Sequence, residues 1–531
     1  MIRSMQRYAL TVDKFLDHAA KWHDGAQVIS VLPGRNATRV TYAELRRRSN
    51  HLSGALLARG LKPGDCVATL AWNTEHHLAL SYAVMGVGLV CHTLNPRLSV
   101  AHLAAMVNEA RDRWIAVGAG LQPLLRELLP LCASLEGVVL LDDQALEAPG
   151  PAGLQFWSLA DLERAFGQSV PWGEFEEETP AGLCYTSGTA GKPRGVLYTH
   201  RSNYLHTLRA LQADAFALTA ADTVLVAVPL FHANGWGLPF AAPAVGARLV
   251  LPGRYTEPVH LRALILEEGV TVAAAVQTVW LGLVELLESE GGELPSLQRI
   301  VIGGSHCPDA LVARIEKRLG VTVQTSWGMT ELSPMGTISP PGATAAGPRT
   351  SGRPPVGLDL KLVDSDGATL LPQREVVGRL MVRGASVAAS YFNEGASVVD
   401  AEGYLDTGDL ASIDARGNLT VTGRAKDLIK SGGEWINPSE IEEVIGSVSA
   451  VSLAAVIGRP HPKWGERPVL VVEPRKNHRV TERQLLEVLR GKVPDWWIPD
   501  QVVLLERMPL AATGKIDKRR LREDFGSHPG E

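Results

Sequence analysis

The chain has 531 residues, 45% hydrophobic and 21% charged, with a formal net charge of -5. Such a length exceeds what one hydrophobic core accommodates, so at least two domains are expected. The ordinary composition excludes a disordered, collagen-like or disulfide-scaffold protein, and the charge gives no reason to expect nucleic acid as a partner.

Met1 to Lys21 mixes charges with apolar residues and lacks the continuous apolar run of a signal peptide. From Thr41 to Arg59, Leu45, Leu52, Leu56 and Leu57 recur at helical spacing, and Gly60 follows as a stop signal. Gly64-Asp65 turns into the apolar run Cys66 to Leu70, a predicted buried strand. The uncharged run Leu78 to Leu94 is short for a membrane span and contains Gly86, Gly88 and His92, so it predicts a buried helix followed by a strand, with no transmembrane segment. Strands are predicted at Trp114 to Val117 and Gly137 to Leu141, and surface connections at Ala148 to Gly153 and Ser339 to Pro355. Helices alternating with short apolar strands imply an α/β architecture with largely parallel sheets. Near the C-terminal fifth the texture changes. Gly417 to Thr422 predicts a strand, and Gly423-Arg424-Ala425-Lys426-Asp427 predicts a charged turn at a domain boundary. Beyond it, helices are expected at Pro438 to Ile445 and Thr481 to Leu489, with strands at Val451 to Ile457 and Val469 to Val472. This C-terminal unit is of a size that folds alone. The basic clusters Arg46 to Arg48 and Lys515 to Arg520 lie on helix-like segments, expected to be mostly solvated faces. Five cysteines (Cys66, Cys91, Cys132, Cys184 and Cys307) include no CxxC pair, so neither a zinc site nor a disulfide framework is indicated, and a reducing cytoplasm is expected.

The segment Thr186-Ser187-Gly188-Thr189-Ala190-Gly191-Lys192-Pro193-Arg194-Gly195 follows the apolar stretch Gly182 to Tyr185. Glycines let backbone amides close on an anion, while hydroxyls and cations supply further donors to phosphate oxygens. A flexible surface loop is the ordinary alternative for such a cluster. A Walker loop is excluded, because Lys192 is followed by Pro193 rather than Ser or Thr. Further along stand Pro229-Leu230-Phe231-His232, Gly303-Gly304-Ser305, Trp327-Gly328-Met329-Thr330-Glu331, Tyr404-Leu405-Asp406-Thr407-Gly408-Asp409, Gly423-Arg424-Ala425-Lys426-Asp427 and Thr513-Gly514-Lys515.

In order and spacing these segments resemble the adenylate-forming superfamily of acyl-CoA synthetases, nonribosomal-peptide adenylation domains and beetle luciferases. The resemblance runs over nearly the whole chain. It implies a large N-terminal domain of layered α/β subdomains, residues 1–426, and a small mobile C-terminal α+β domain, residues 427–531, with a hinge at Asp427. It also implies ATP, magnesium and coenzyme A as co-substrates or cofactors. By this resemblance Thr186, Ser187, Gly188, Thr189, Gly191, Lys192 and Arg194 bind phosphates, with Gly304, Ser305, Trp327, Gly328 and Met329 also facing the nucleotide. Thr330 contacts the α-phosphate, Glu331 positions the metal together with Thr186, and Asp409 with Arg424 holds the ribose. Lys515 bridges the acid's carboxylate and the nucleotide during attack on the α-phosphorus. Lys430, Gly432, Gly433, Glu434 and Trp435 match the segment that lines the coenzyme A tunnel after the small domain rotates. His232, Trp236 and Gly303 border the acyl pocket, His232 as a substrate contact rather than an acid or base.

The strings His92 to Leu98, His232 to Pro239 and Gly432 to Ile436 look like bacterial medium- and long-chain fatty acyl-CoA synthetases and their relatives acting on 3-methylthiopropionate. The expected activity is therefore AMP-forming ligation of an acid to coenzyme A, the acid being foremost a medium- or long-chain fatty acid and alternatively 3-methylthiopropionate or another short or aryl-alkanoate acid. The rivals are an adenylation enzyme loading a carrier protein in trans and a non-catalytic binding protein on the same fold. By analogy with bacterial relatives a homodimer is an open expectation. Two departures stand in the phosphate loop. Ala190 replaces a threonine, and Arg194 replaces a lysine with a planar guanidinium.

Overall fold

Short-range signals start and stop the helices where the sequence places them. In the computed structural model, which describes residues 5–31, 37–142, 153–186, 193–342 and 349–527, the Thr41 hydroxyl accepts the Glu44 N–H at 3.1 Å and begins the helix Tyr42–Ala58. Gly60, at φ 89°, closes it. Thr74 caps the helix Glu75–Gly86 in the same way, and the strand Val90–Leu94 follows, as the uncharged run predicts. Among the described residues no helix is long and apolar enough to cross a membrane.

Two parallel-dominated sheets form the large domain. One has seven strands in the order Gln155–Ser158, Gly137–Leu140, Trp114–Val117, Cys66–Leu70, Val90–Leu94, Pro180–Tyr185 and Gly195–Thr199, with only the last antiparallel. The other has eight, and its central strands Arg248–Leu251, Thr223–Val226, Val272–Ala275, Arg299–Ile302 and Thr322–Gly328 run parallel. Both faces of such sheets are covered, which is why Cys66–Leu70 and Val272–Ala275 read as continuous apolar runs. The helices Asp13–Trp22, Tyr42–Ala58, Glu75–Gly86 and Leu238–Val245 join the two sheets into one apolar core. Two fully buried phenols in that core stay satisfied, Tyr42 donating to the Ala247 carbonyl at 2.6 Å and Tyr82 to that of Pro239 at 2.9 Å.

A four-stranded antiparallel sheet, Leu358–Val363, Val377–Gly384, Leu405–Ile413 and Leu419–Arg424, leads to the last, five-stranded sheet. The latter centres on the hairpin Val451–His461 with Gly465–Pro474. Leu453, Ala455, Val469 and Met508 share an apolar cluster with Leu281, Val284 and Ile315, so the small domain is docked through an apolar face. A polar pair lies across the same junction. His306 Nε2 is 2.6 Å from Glu443, whose other oxygen accepts the Asp309 N–H at 3.0 Å.

Several local readings shift. The strand predicted from Gly417 begins at Leu419, because Gly417, at φ 87°, closes a turn on the Asp414 carbonyl. Gly423 and Arg424 belong to that strand rather than to the turn, because they pair with Leu410 and Asp409. The hairpin of the small domain is longer than its apolar runs, since its Arg- and Pro-bearing ends still pair across the ladder. Lys515 lies in a loop before the helix Lys518–Phe525, not on it. Arg46 is covered rather than solvated: it pairs with Asp17, and its guanidinium sits 3.9 Å above the Trp172 ring. Residues 148–152 and 343–348 of the predicted connections lie outside the described residues.

Candidate active site

The phosphate-loop segment connects two antiparallel strands whose ends are paired at Tyr185 and Gly195. Ser187, Gly188, Thr189, Ala190, Gly191 and Lys192 lie outside the described residues. The base of the loop is pinched by a reciprocal pair: the Thr186 N–H donates to the Arg194 carbonyl at 2.9 Å, and the Arg194 N–H to the Thr186 hydroxyl at 3.2 Å. The Arg194 guanidinium stacks 3.7 Å from the Tyr391 ring and donates to its hydroxyl at 3.0 Å. That hydroxyl donates to Glu331 Oε1 at 2.6 Å. A cation at the loop base is thus connected to the candidate metal carboxylate through one phenol. Burial, with Glu331 beside it, pushes the Tyr391 hydroxyl well up, so it stays a donor. Nothing in the local sequence around Tyr391 marks it, and sequence reasoning missed it.

Thr330 and Glu331 sit in a tight turn after the strand Thr322–Gly328. Both are buried, and their carbonyls accept from the Tyr198 hydroxyl at 2.7 Å and the Ala388 N–H at 2.8 Å. The Trp327 ring packs in the core with Leu332, and its indole N–H donates to Asp409 Oδ2 at 2.7 Å. Arg424, directly across the ladder, holds Asp409 Oδ1 at 2.8 Å. A carboxylate offers about four lone-pair sites, so this buried aspartate keeps capacity for hydroxyl donors. Burial pushes its carboxyl up, against Arg424, the indole N–H and Lys515.

Lys515 reaches this group from the small domain. Its stem lies over Gly304, at φ 86°, where an added Cβ would stand 3.2 Å from Lys515 Cε. Burial and Arg424 push the Lys515 ammonium down to about 8, against Asp409. His232 is pushed down to about 3 by burial, then by Lys515 and Arg97, which leaves a neutral imidazole. Beside it Ala233, Asn234, Gly235, Trp236 and Gly237 are all left-handed, at φ 41°, 45°, 59°, 58° and 75°. Each non-glycine residue there costs roughly 1–2 kcal/mol, and the Trp236 ring edge packs against Gly303, where a Cβ would lie 3.0 Å from it. Asn234 borders an apolar cavity of about 30 Å³ that Leu78, Met85 and Phe240 also line. Ser305 is exposed, while Gly328 and Met329 are half-buried beside Trp327.

The remaining predicted residues stay apart. Lys430, Gly432, Gly433, Glu434 and Trp435 form an exposed hairpin of the small domain, with Gly432 and Gly433 at φ 61° and 92° in its turn. The structure therefore gathers Lys515, His232, Gly304, Asp409, Arg424 and Trp327, and leaves the hairpin at the surface. Asp427 pairs with Arg522 at 2.7 Å in the short turn that follows the strand Leu419–Arg424. Among the described residues no group of three or more His, Cys, Asp or Glu side chains could hold a metal. Glu331, oriented through one oxygen by Tyr391, fits an ion shared with nucleotide phosphates. Magnesium takes one or two protein carboxylates and completes its shell with phosphate oxygens and water.

Comparison with known proteins agrees over the whole chain. Residues 15–392 match the family model for AMP-binding enzymes and residues 440–515 that for the AMP-binding enzyme C-terminal domain. A 3-methylmercaptopropionyl-CoA ligase of Ruegeria pomeroyi is 40% identical, covering 99% of each chain. A medium-chain-fatty-acid–CoA ligase of Ectopseudomonas oleovorans is 39% identical, covering 99% of this chain and 98% of its own. Among solved structures, the anthranilate CoA ligase AuaEII in complex with anthranoyl-AMP has the same fold, at a TM-score of 0.87 and 24% identity over 99% of each chain.

Proposed function

The chain belongs to the family of AMP-binding enzymes and works as an AMP-forming acid:CoA ligase, and we propose that its acid is a medium- or long-chain fatty acid. ATP, magnesium and coenzyme A are its co-substrates and cofactor. In the first step a carboxylate oxygen of the acid attacks the α-phosphorus of ATP, giving acyl-adenylate and pyrophosphate. In the second the coenzyme A sulfur attacks the acyl carbon and AMP leaves.

The observation that carries this reading is the Lys515 loop of the small domain, seated over Gly304 beside the Asp409–Arg424 pair. The first step brings two anions together and builds charge on equatorial oxygens, so a cation held at the meeting point stabilises its transition state. Asp409 and Arg424 hold the ribose, and the Thr186 to Arg194 loop receives the departing pyrophosphate. The hydroxyl of Thr330 reaches the α-phosphate. Thr186 and Glu331 would hold magnesium, which supplies neutralising charge to the phosphates. His232, neutral beside Lys515, and Trp236, pressed on Gly303, border the acyl group without donating a proton to it. The exposed hairpin Lys430 to Trp435 serves the second step once the small domain, residues 427–531, turns about Asp427.

A short thioether acid, 3-methylthiopropionate, is the second reading, since the identity to a ligase named for that acid equals that to a fatty-acid ligase within one per cent. A cytoplasmic setting is supported by five free, buried cysteines, and a homodimer completes the proposal. AMP release with coenzyme A is to be measured across octanoate, palmitate, 3-methylthiopropionate, isovalerate and phenylacetate. A kcat/KM highest for the straight-chain acids supports the first reading, and one highest for the methylthio acid replaces it with the second. No pyrophosphate from any acid would sink both.

A further inference from the structure

The Lys515 stem packs over Gly304, but that contact alone does not set where its end points. Among the described residues no group hydrogen-bonds its ammonium, so the backbone that carries it must be held instead. That backbone is a small closed loop. The Ala511 N–H donates to the Lys515 carbonyl at 2.7 Å, the Gly514 N–H to the Ala511 carbonyl at 2.9 Å, and Leu510 bridges to Ile516. Two carbonyls of the loop turn outward, and each accepts from the large domain. The Thr278 hydroxyl donates to Gly514 at 3.0 Å, and the Arg97 guanidinium to Ala512 at 3.1 Å.

Both donors are themselves fixed. Thr278 stands in the first turn of the helix Gln277–Glu290, and its neighbour Val276 lies where a Cβ on Gly514 would meet it at 3.3 Å. Arg97 lies over the Trp72 and Phe231 rings, 5.7 and 6.0 Å from their centroids. We propose that Thr278 and Arg97 are positioning residues that clamp the Lys515 loop to the large domain for adenylate formation and release it for thioester formation. This rests on the acid:CoA ligase reading above. Neither residue is asked to touch the reacting atoms in that step; they act through the two loop carbonyls. A hydroxyl and a guanidinium donating to carbonyls hold the loop in one orientation and exchange for water when the domain turns, which suits a contact made and broken in every cycle.

The test compares Thr278→Val, which keeps the shape and removes the donor, with Thr278→Ser, which keeps the donor. Pyrophosphate release is measured with MgATP and octanoate, or with whichever acid of the panel the unaltered enzyme turns over fastest. Thioester formation is measured separately from the matching acyl-adenylate and coenzyme A. Thr278→Val should slow pyrophosphate release about tenfold, with the MgATP KM and the thioester rate each changed by less than about threefold. Thr278→Ser should stay close to the unaltered enzyme. Arg97→Ala should slow pyrophosphate release by at least as much, and Arg97→Lys should restore part of it. Without substrates, trypsin should cut after Lys515 faster in Thr278→Val. Equal loss of both half-reactions in Thr278→Val, equal behaviour of its Val and Ser variants, or unchanged cleavage would overturn the clamp while leaving the ligase reading intact. An unaltered enzyme that releases no pyrophosphate with any acid would overturn both.

Discussion

Tyr391→Phe removes one oxygen and keeps the buried ring. That oxygen donates to Glu331 at 2.6 Å and accepts from Arg194 at 3.0 Å, so its loss leaves a buried carboxylate oxygen without its donor and the loop-base cation without its acceptor. A hydrogen bond to a charged group contributes about 1.5–3 kcal/mol. Part of the second is recovered, because Glu394 already lies 4.0 Å from Arg194. A net loss of about 2 kcal/mol then falls on the groups proposed to orient the phosphates and their ion, which corresponds to roughly thirtyfold in rate. The assay is steady-state pyrophosphate release against MgATP concentration, with thioester formation from supplied acyl-adenylate as the control. The expected outcome is a thirtyfold fall in kcat/KM for MgATP with the control nearly unchanged. A fall of less than about threefold, in a variant melting at the same temperature, would refute the idea that Tyr391 couples loop and carboxylate.

Lys515→Ala should remove about 3–4 kcal/mol of barrier lowering from adenylate formation, a few hundredfold in rate, and still make thioester from supplied adenylate. Gly432→Leu should show the reverse pattern, because its positive φ and the Trp464 ring 3.0 Å from the added Cβ disturb only the exposed hairpin; identical patterns in the two variants contradict a two-conformation cycle. The pH dependence follows from the lowered ammonium: Lys515 is charged below about 8 and neutral above it, so kcat/KM for adenylate formation should fall as pH rises through that value. The comparison is with Lys515→Arg, whose residual activity should keep no such step, and a flat profile in the unaltered enzyme argues against the charge. Asp409→Asn leaves Arg424 without its anion and Trp327 with a weaker acceptor, and should raise the MgATP KM about tenfold. Isothermal titration with AMP gives the check, and unchanged AMP affinity would remove Asp409 from the nucleotide site.

Much of this protein is determined by neighbours along the chain. The apolar runs at Cys66–Leu70 and Val272–Ala275, the threonine caps at Thr41 and Thr74 and the stop at Gly60 act over a few residues, so pattern alone reveals them. Motif order likewise marks Trp327, Glu331, Asp409, Arg424 and Lys515, because each stands in a string whose spacing is itself informative. Pattern failed where pairing reaches past the apolar residues, as in the hairpin Val451–His461 with Gly465–Pro474, whose ends are polar yet hydrogen-bonded. It also failed for residues whose role exists only across the fold. Arg194 meets Tyr391 over 197 residues, Thr278 meets Gly514 over 236, and Arg97 meets Ala512 over 415. The sequence by itself determined the order of the motifs from which the proposed chemical groups are read. Only the tertiary structure decided what orients them, because a hydrogen bond depends on distance and angle in space, and neither is written into the spacing of two residues far apart in the chain.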